Sequence, residues 1–115
     1  MQALVNTLEN CGYEVHCVSN KSEAFELSKT FIKPGMSVGL GGSVSVGQIG
    51  LLDYLVNKKD INLQNQYEAG ISMEENAQRR RQGLISDIFV TGTNALTLDG
   101  KLVNADGSGN RVAAF

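Results

Sequence analysis

The sequence contains very little tryptophan, proline, cysteine and histidine. Its 115 residues include no tryptophan, one proline, two cysteines and one histidine. Two cysteines are too few, and wrongly spaced, for a zinc or iron–sulfur site, so the sequence indicates no metal site and no cofactor. We expect Cys11 and Cys17 to be buried free thiols. His16 is expected to have a structural role on the polar face of a strand.

A dominant charge and long apolar runs are also missing. Ten basic and twelve acidic residues give a net charge of -2, and the basic residues are scattered except at Arg79–Arg81. Nucleic acid and anionic membranes are recognised through a basic field that this composition does not supply. No apolar stretch is long enough to span a membrane, and the first residues do not read as a secretory signal. We therefore expect a cytoplasmic protein that binds neither nucleic acid nor membrane.

What is present is the composition of one globular domain, with 42% hydrophobic and 19% charged residues. Helical spacing of apolar residues predicts a helix over residues 2–11, and alternation predicts a strand over Tyr13–Val18. Asn20 and Glu23 form a capping box that begins a second helix, which ends at Lys33-Pro34-Gly35.

A strand-to-helix unit follows. Ser37–Leu40 reads as a short strand that leads into Gly41-Gly42-Ser43. Ser45 and Gln48 are then predicted to cap a helix with an apolar stripe. The residues that this helix is expected to bury are Ile49, Leu52, Leu55 and Val56.

The middle of the chain repeats the alternation of helix and strand. Residues 57–71 are polar and give only a short strand about Ile61–Leu63. Ser72 and Glu75 predict the start of a helix that runs to Gly83, and the apolar run 87–90 predicts a strand covered on both faces. The pattern indicates an α/β fold with an open, mainly parallel sheet flanked by helices.

The last section has a different character. Strands at Leu96–Leu98 and Leu102–Asn104 flank Asp99-Gly100, which predicts an antiparallel hairpin with positive φ at both turn residues. Val112–Phe115 reads as the opening of a helix. We expect residues 1–115 to be a single, incomplete domain, because buried parallel strands need more cover than these helices supply, and a homo-oligomer is one way to supply it. In the alternative, Phe115 docks on the core of a complete domain.

The first candidate site is the glycine-rich turn 39–47. Its amide groups follow a strand and enter a helix, so a phosphate or carboxylate fits there. The turn matches neither the motif of triphosphate-binding loops nor the glycine fingerprint of dinucleotide-binding domains. Close packing of strand on helix explains the glycines nearly as well. The expected ligand-binding residues are Gly41, Gly42, Ser43 and Ser45.

Two further groups are candidates for the other half of the site. Thr91–Asn94 ends a predicted strand, where ligands of parallel sheets collect. The loop that follows the hairpin carries an arginine that could clamp a carboxylate and an aspartate that could act as a base. Its candidate residues are Asn104, Asp106, Asn110 and Arg111, with Asn94 from the strand end. Both groups also read as ordinary polar turns. Arg79–Arg81 most simply complements a helix dipole, with a ligand-binding arginine as the alternative.

Several segments resemble the lactate-utilisation (LUD) domain family. They are Val38–Ser43, Ile49–Leu51, Thr93–Gly100 and above all Leu102–Ala114, so the resemblance covers nearly the whole chain. It implies a fold akin to ribose-5-phosphate isomerase and the CoA transferases. It also implies a role alongside iron–sulfur proteins in lactate oxidation. Many members continue past the position of Ala114, often to a cysteine-containing tail that has no counterpart here.

Two functions of different class follow. The first is an accessory or ligand-binding component of lactate utilisation that binds a small anionic metabolite, a carboxylate or a phosphate. The second is a sugar-phosphate isomerase or acyl/CoA-transferase-like enzyme with Asp106 as the catalytic base and Arg111 as the anion clamp. Against the second, the strand that ends at Val90 is followed by no acidic cluster, and no loop glutamate stands where a transferase would carry its nucleophile. The sequence leaves open whether any reaction is catalysed.

Overall fold

A three-stranded parallel sheet organises the molecule. The computed structural model describes residues 1–115. Its strands are β1 (Ser37–Leu40), β2 (Asn62–Gln64) and β3 (Ile88–Val90), in the order β2-β1-β3. Val38 pairs with Leu63 on one side and with Ile88 on the other. The glycine-rich turn therefore leaves the sheet from its central strand.

Six helices surround the sheet or lie beside it. They are α1 (Gln2–Asn10), α2 (Lys21–Lys29), α3 (Val44–Gln48), α4 (Leu51–Asn57), α5 (Met73–Leu84) and α6 (Asn110–Ala114). None is both long and apolar enough to cross a membrane. The expected α/β fold, with helices flanking a parallel sheet, is confirmed.

The two faces of β1 pack against different helices. Val38 and Leu40 are buried on one face, in a cluster with Ile32 and the α4 residues Leu51 and Leu55. On the other face β1 meets α5, where a Cβ on Gly39 would lie only 2.6 Å from the carbonyl oxygen of Gly83. Because the helices after β1 cover the Val38 face of the sheet and α5, which follows β2, covers the Gly39 face, the loops after β1 and β2 diverge toward opposite faces.

Two predicted capping boxes begin helices where expected. The Asn20 side chain accepts a hydrogen bond from the Glu23 amide at 2.9 Å, and Ser72 accepts one from the Glu75 amide at 3.0 Å. Each side chain satisfies an amide that has no partner within its own helix. These local signals were sufficient to place the first residues of α2 and α5.

The helix predicted after the glycine-rich turn is wrong in two respects. Ser43, not Ser45, is the N-cap, since its hydroxyl accepts a hydrogen bond from the Val46 amide at 3.3 Å. Gly50 adopts φ +88, which breaks the segment into α3 and α4. The break changes which residues face the core, so that Leu51 and Leu55 are buried and Val56 is exposed.

The strand predicted over 13–18 is also wrong, because that segment pairs with no other strand. It runs along the surface, so Cys17, like Cys11 at the end of α1, is free but exposed rather than buried. His16 lies on no strand, and its ring meets Phe31 edge-on at 5.9 Å. β3 is only half-buried, because it is an edge strand with β1 as its sole partner.

The antiparallel hairpin is present as a separate two-stranded unit. It joins β4 (Ala95–Leu96) to β5 (Leu102–Val103), with Leu96 opposite Leu102. Only Gly100 has a positive φ, of +86, so the prediction of two such residues was wrong. The Gly100 amide donates to the Thr97 carbonyl, which is the pattern of a three-residue loop that ends in one left-handed residue.

Candidate functional site

A crevice opens at the carboxyl end of β1, where the diverging loops leave the sheet. Ligands of open α/β sheets bind at such points because the two loops separate there. The cavity has a volume of about 430 Å³, within the range of small-molecule sites. It is lined by Leu40, Gly41, Gly42, Ser43, Val44, Val46, Leu52 and Tyr67.

The glycine-rich turn supplies most of the polar groups of this crevice. The Gly41 amide donates to the Val90 carbonyl at 2.9 Å, which ties the turn to β3. The amides of the next two residues, Gly42 and Ser43, donate to no group of the chain. The Ser43 hydroxyl accepts one hydrogen bond from Val46 and keeps its own proton free to donate. Two residues of the lining therefore carry amides that have no acceptor within the chain.

Close packing accounts for part of the glycine content. A Cβ on Gly41 would lie 2.5 Å from the Thr91 hydroxyl oxygen, and one on Gly92 would lie 2.7 Å from the Ser43 hydroxyl oxygen. The turn after β1 and the turn after β3 thus touch each other directly. Gly42 differs, because its Cβ would meet only the Tyr67 hydroxyl oxygen, at 3.1 Å.

Tyr67 is the lining residue that the sequence did not reveal. It follows Gln66, a buried residue whose side-chain amide donates to the Leu40 carbonyl at 2.7 Å. Asn76 of α5 donates to the Gln66 carbonyl at 2.6 Å. These contacts hold the loop after β2 against the end of β1 and bring the Tyr67 ring to the crevice. The polar stretch 57–71 contained no periodic pattern that could have placed it.

Arg79 completes the support of that loop. Its guanidinium donates to the Asn65 carbonyl at 2.8 Å and forms ion pairs with Glu68 and Glu75. Hydrogen bonds to Glu68 and then to Glu75 raise the pKa of Arg79 above its ordinary value. This arginine therefore anchors the Tyr67 loop to α5.

Arg111 donates a hydrogen bond to the turn after β3 and does not line the crevice. Its Nε donates to Asp106 at 2.8 Å, and one terminal nitrogen donates to the Asn94 side chain at 2.7 Å. That nitrogen also donates to the Ala105 carbonyl at 2.9 Å, and the other donates to the Gly92 carbonyl at 3.4 Å. The Arg111 and Asp106 side chains are only 9% and 10% exposed.

The side chains of Asp106 and Asn94, which bind Arg111, and that of Asn104 accept further hydrogen bonds within the chain. The second carboxylate oxygen of Asp106 accepts the Val112 amide at 2.7 Å. The Asn94 side chain accepts the Ala105 amide at 3.0 Å, and that of Asn104 accepts the Thr93 hydroxyl at 2.9 Å. Four polar residues thus join the loop after the hairpin to the turn after β3. We call this hydrogen-bonded cluster the polar knot; its members are Asn94, Asn104, Asp106 and Arg111.

The predicted site residues thus fall into separate groups. Gly41, Gly42 and Ser43 line the crevice, whereas Ser45 is exposed and outside its lining. The polar knot and the crevice meet near Gly92, whose carbonyl accepts from Arg111 and where an added Cβ would lie 2.7 Å from the Ser43 hydroxyl oxygen. Asn110 lines a different cleft, together with Arg80 and Arg81.

The crevice offers neutral donors and an apolar wall. None of its eight lining residues is acidic or basic. Hydroxyls and backbone amides can orient a polar group of a ligand, while the aliphatic side chains cover its apolar part. No group of three or more His, Cys, Asp or Glu residues is placed to hold a metal ion.

The fold and the crevice define an α/β domain with a parallel sheet and a ligand-sized opening at the point where its crossovers diverge. The chain belongs to the LUD domain family, whose sequence profile matches residues 1–115. Membership associates it with lactate utilisation. No curated protein and no solved structure matches the chain.

Proposed function

We propose that the chain is an accessory or ligand-binding component of lactate utilisation that binds a small carboxylate in the crevice. The observation that carries this proposal is the cavity of about 430 Å³ lined by Gly42 and Ser43, whose amides have no acceptor within the chain. The Ser43 and Tyr67 hydroxyls extend the same set of donors. Converging hydrogen-bond donors stabilise an oxyanion, since each donor is directed at a region of negative charge.

The lining favours a carboxylate over a phosphate. A carboxylate carries a single charge, which amide and hydroxyl donors can satisfy. A phosphate dianion carries more negative charge, which an arginine or lysine side chain can balance, and the crevice contains neither. The aliphatic side chains of Val44, Val46 and Leu52 match the short carbon skeleton of a hydroxy or keto acid.

The alternative of an isomerase or acyl transferase receives less support. It requires Asp106 as an available base and Arg111 as an available clamp. Both oxygens of the Asp106 carboxylate accept hydrogen bonds within the chain, and Arg111 is among the donors. An iron–sulfur partner remains part of the proposal through family membership alone.

The test is a titration with lactate and pyruvate, read from the amide resonances of Gly42 and Ser43. We expect saturable shifts at these two amides. Tyr67→Phe should weaken carboxylate binding about tenfold, the usual effect of losing one hydrogen bond to a charged group. Gly42→Ala should also weaken binding, because the added methyl displaces the Tyr67 hydroxyl.

Matched controls separate this effect from damage to the fold. Tyr13→Phe removes the same hydroxyl from a ring outside the crevice. Gly47→Ala adds a methyl in the same segment, where nothing lies within 4 Å. Both variants should bind as the parent does. Resonances of Gly42 and Ser43 that do not respond to either acid would remove the proposal.

A further inference from the structure

A second cleft lies between α5 and α6, away from the crevice. It has a volume of about 250 Å³ and is lined by Ala77, Arg80, Arg81, Leu84, Ser108, Gly109, Asn110 and Ala113. Two arginines from one helix therefore share a small cavity with the polar loop that precedes α6. No acidic residue lines it.

The arginines of this cleft differ from the other arginines of the chain. The chain has four, and Arg79 and Arg111 each have an acidic partner. Arg80 and Arg81 form no ion pair. Their two positive charges are uncompensated within the chain.

Arg80 carries the clearest sign of a missing acceptor. Its Nε is buried, and it is the only buried side-chain nitrogen or oxygen of the chain without a hydrogen-bond partner. A buried donor attached to a charged group is costly to leave unpaired, since it loses water and gains nothing in return. Arg80 also lines the cleft, which offers it no acidic partner.

We propose that this cleft binds a phosphate group, either as the inorganic ion or on a small phosphomonoester. Two guanidinium groups match the charge of a phosphate dianion, and their planar forks suit its oxygens. The Ser108 hydroxyl and the Asn110 side-chain amide are the neutral donors of the same cleft. This site is independent of the carboxylate crevice and goes beyond the function proposed for it.

The experiment is a titration with inorganic phosphate, followed through the Nε–H resonances of the four arginines. The Arg80 resonance is expected to move saturably, while that of Arg111 stays in place. Arg81→Gln should weaken phosphate binding at least tenfold, since it removes a charge-assisted contact. Arg81 is exposed, so the variant should fold normally. Arg80→Lys keeps the charge but loses the planar fork, and it should also weaken binding.

The control Lys59→Gln makes the same charge change at an exposed lysine outside the cleft, and its affinity for phosphate should stay within about twofold of the parent. A parallel titration with glycerol phosphate identifies the source. Tighter binding than inorganic phosphate assigns the cleft to an ester, and equal or weaker binding assigns it to the free ion. An unsaturable response, or an equal response in Arg81→Gln, Arg80→Lys and Lys59→Gln, would overturn the proposal. Tyr67→Phe should leave phosphate binding unchanged, so the two sites can fail separately.

Discussion

At the scale of single residues, the pair of Asp106 and Arg111 stands out because both side chains are about nine-tenths buried. A buried guanidinium is tolerated when its donors meet acceptors, and here four acceptors surround it. Removing one partner from such a pair leaves the other charge buried and uncompensated. The pair therefore acts as a structural anchor between the last loop and the sheet.

This anchor predicts a loss of stability in Asp106→Asn. We expect the free energy of unfolding to fall by about 3 kcal/mol, because the variant keeps the size of the side chain but loses its charge. Denaturant titration followed by circular dichroism measures the change. Asp53→Asn is the matched control, since the Asp53 side chain is exposed and forms no ion pair, so the change should have little effect. Equal midpoints for the two variants would contradict the anchoring role.

At the scale of elements, the contact between β1 and α5 depends on two facing glycines. A Cβ on Gly39 would lie 2.6 Å from the Gly83 carbonyl oxygen and 2.8 Å from the Phe89 ring. A Cβ on Gly83 would instead lie 3.5 Å from the Gly39 Cα, which is ordinary van der Waals contact. Glycine is therefore required at position 39 but not at position 83.

The asymmetry gives a paired prediction. Gly39→Ala should destabilise the chain by about 3 kcal/mol, because backbone atoms of α5 must move away from the sheet. Gly83→Ala should be neutral or stabilising by up to about 1 kcal/mol, since alanine favours a helix. Thermal unfolding of the two variants measures both effects. A similar loss in both would show that the helix cannot accept a methyl group on either side.

Elements with local signals could be predicted from the sequence, and elements that depend on partners could not. Asn20 and Ser72 each cap a helix through residues three positions away, so the pattern alone sufficed. The alternation over 13–18 predicted a strand, but the segment pairs with none of the strands of the chain. Gly50 was read as part of one helix, since a positive φ leaves no mark in hydrophobic periodicity.

The candidate site divides in the same way. Gly41, Gly42 and Ser43 follow a strand directly, so chain order places them at the end of the sheet. Tyr67 reaches the crevice because its neighbours Asn65 and Gln66 are held in place. Their hydrogen bonds join them to Leu40, Asn76 and Arg79, contacts that span ten or more residues. The sequence identified Arg111 as a residue that could bind an anion. It did not show that the anion is the side chain of Asp106 in the same chain.

At the scale of the whole molecule, the core lies in one part of the chain. All five residues of the buried cluster fall between Ile32 and Leu55. The hairpin is a separate sheet, and its strands are mostly exposed. Segments with few buried contacts open at lower free energy than the core.

Amide hydrogen exchange should therefore be uneven. The amides of β1 and α4 are expected to exchange slowest, whereas those of α1 and the hairpin should exchange at least tenfold faster. Carboxylate binding should slow exchange at both loops that border the crevice, after β1 and after β2. Uniform protection across the chain would contradict this division.

The position of Tyr67 also makes the crevice optically visible. The chain has three tyrosines and no tryptophan, so its intrinsic fluorescence is tyrosine emission unmasked by indole. Tyr54 packs edge-on against Phe25, and Tyr13 lies at another cavity, which leaves Tyr67 as the fluorophore at the crevice. Ligand binding can be followed through the tyrosine fluorescence of the unmodified protein, with Tyr67→Phe as the control that lacks the fluorophore at the crevice.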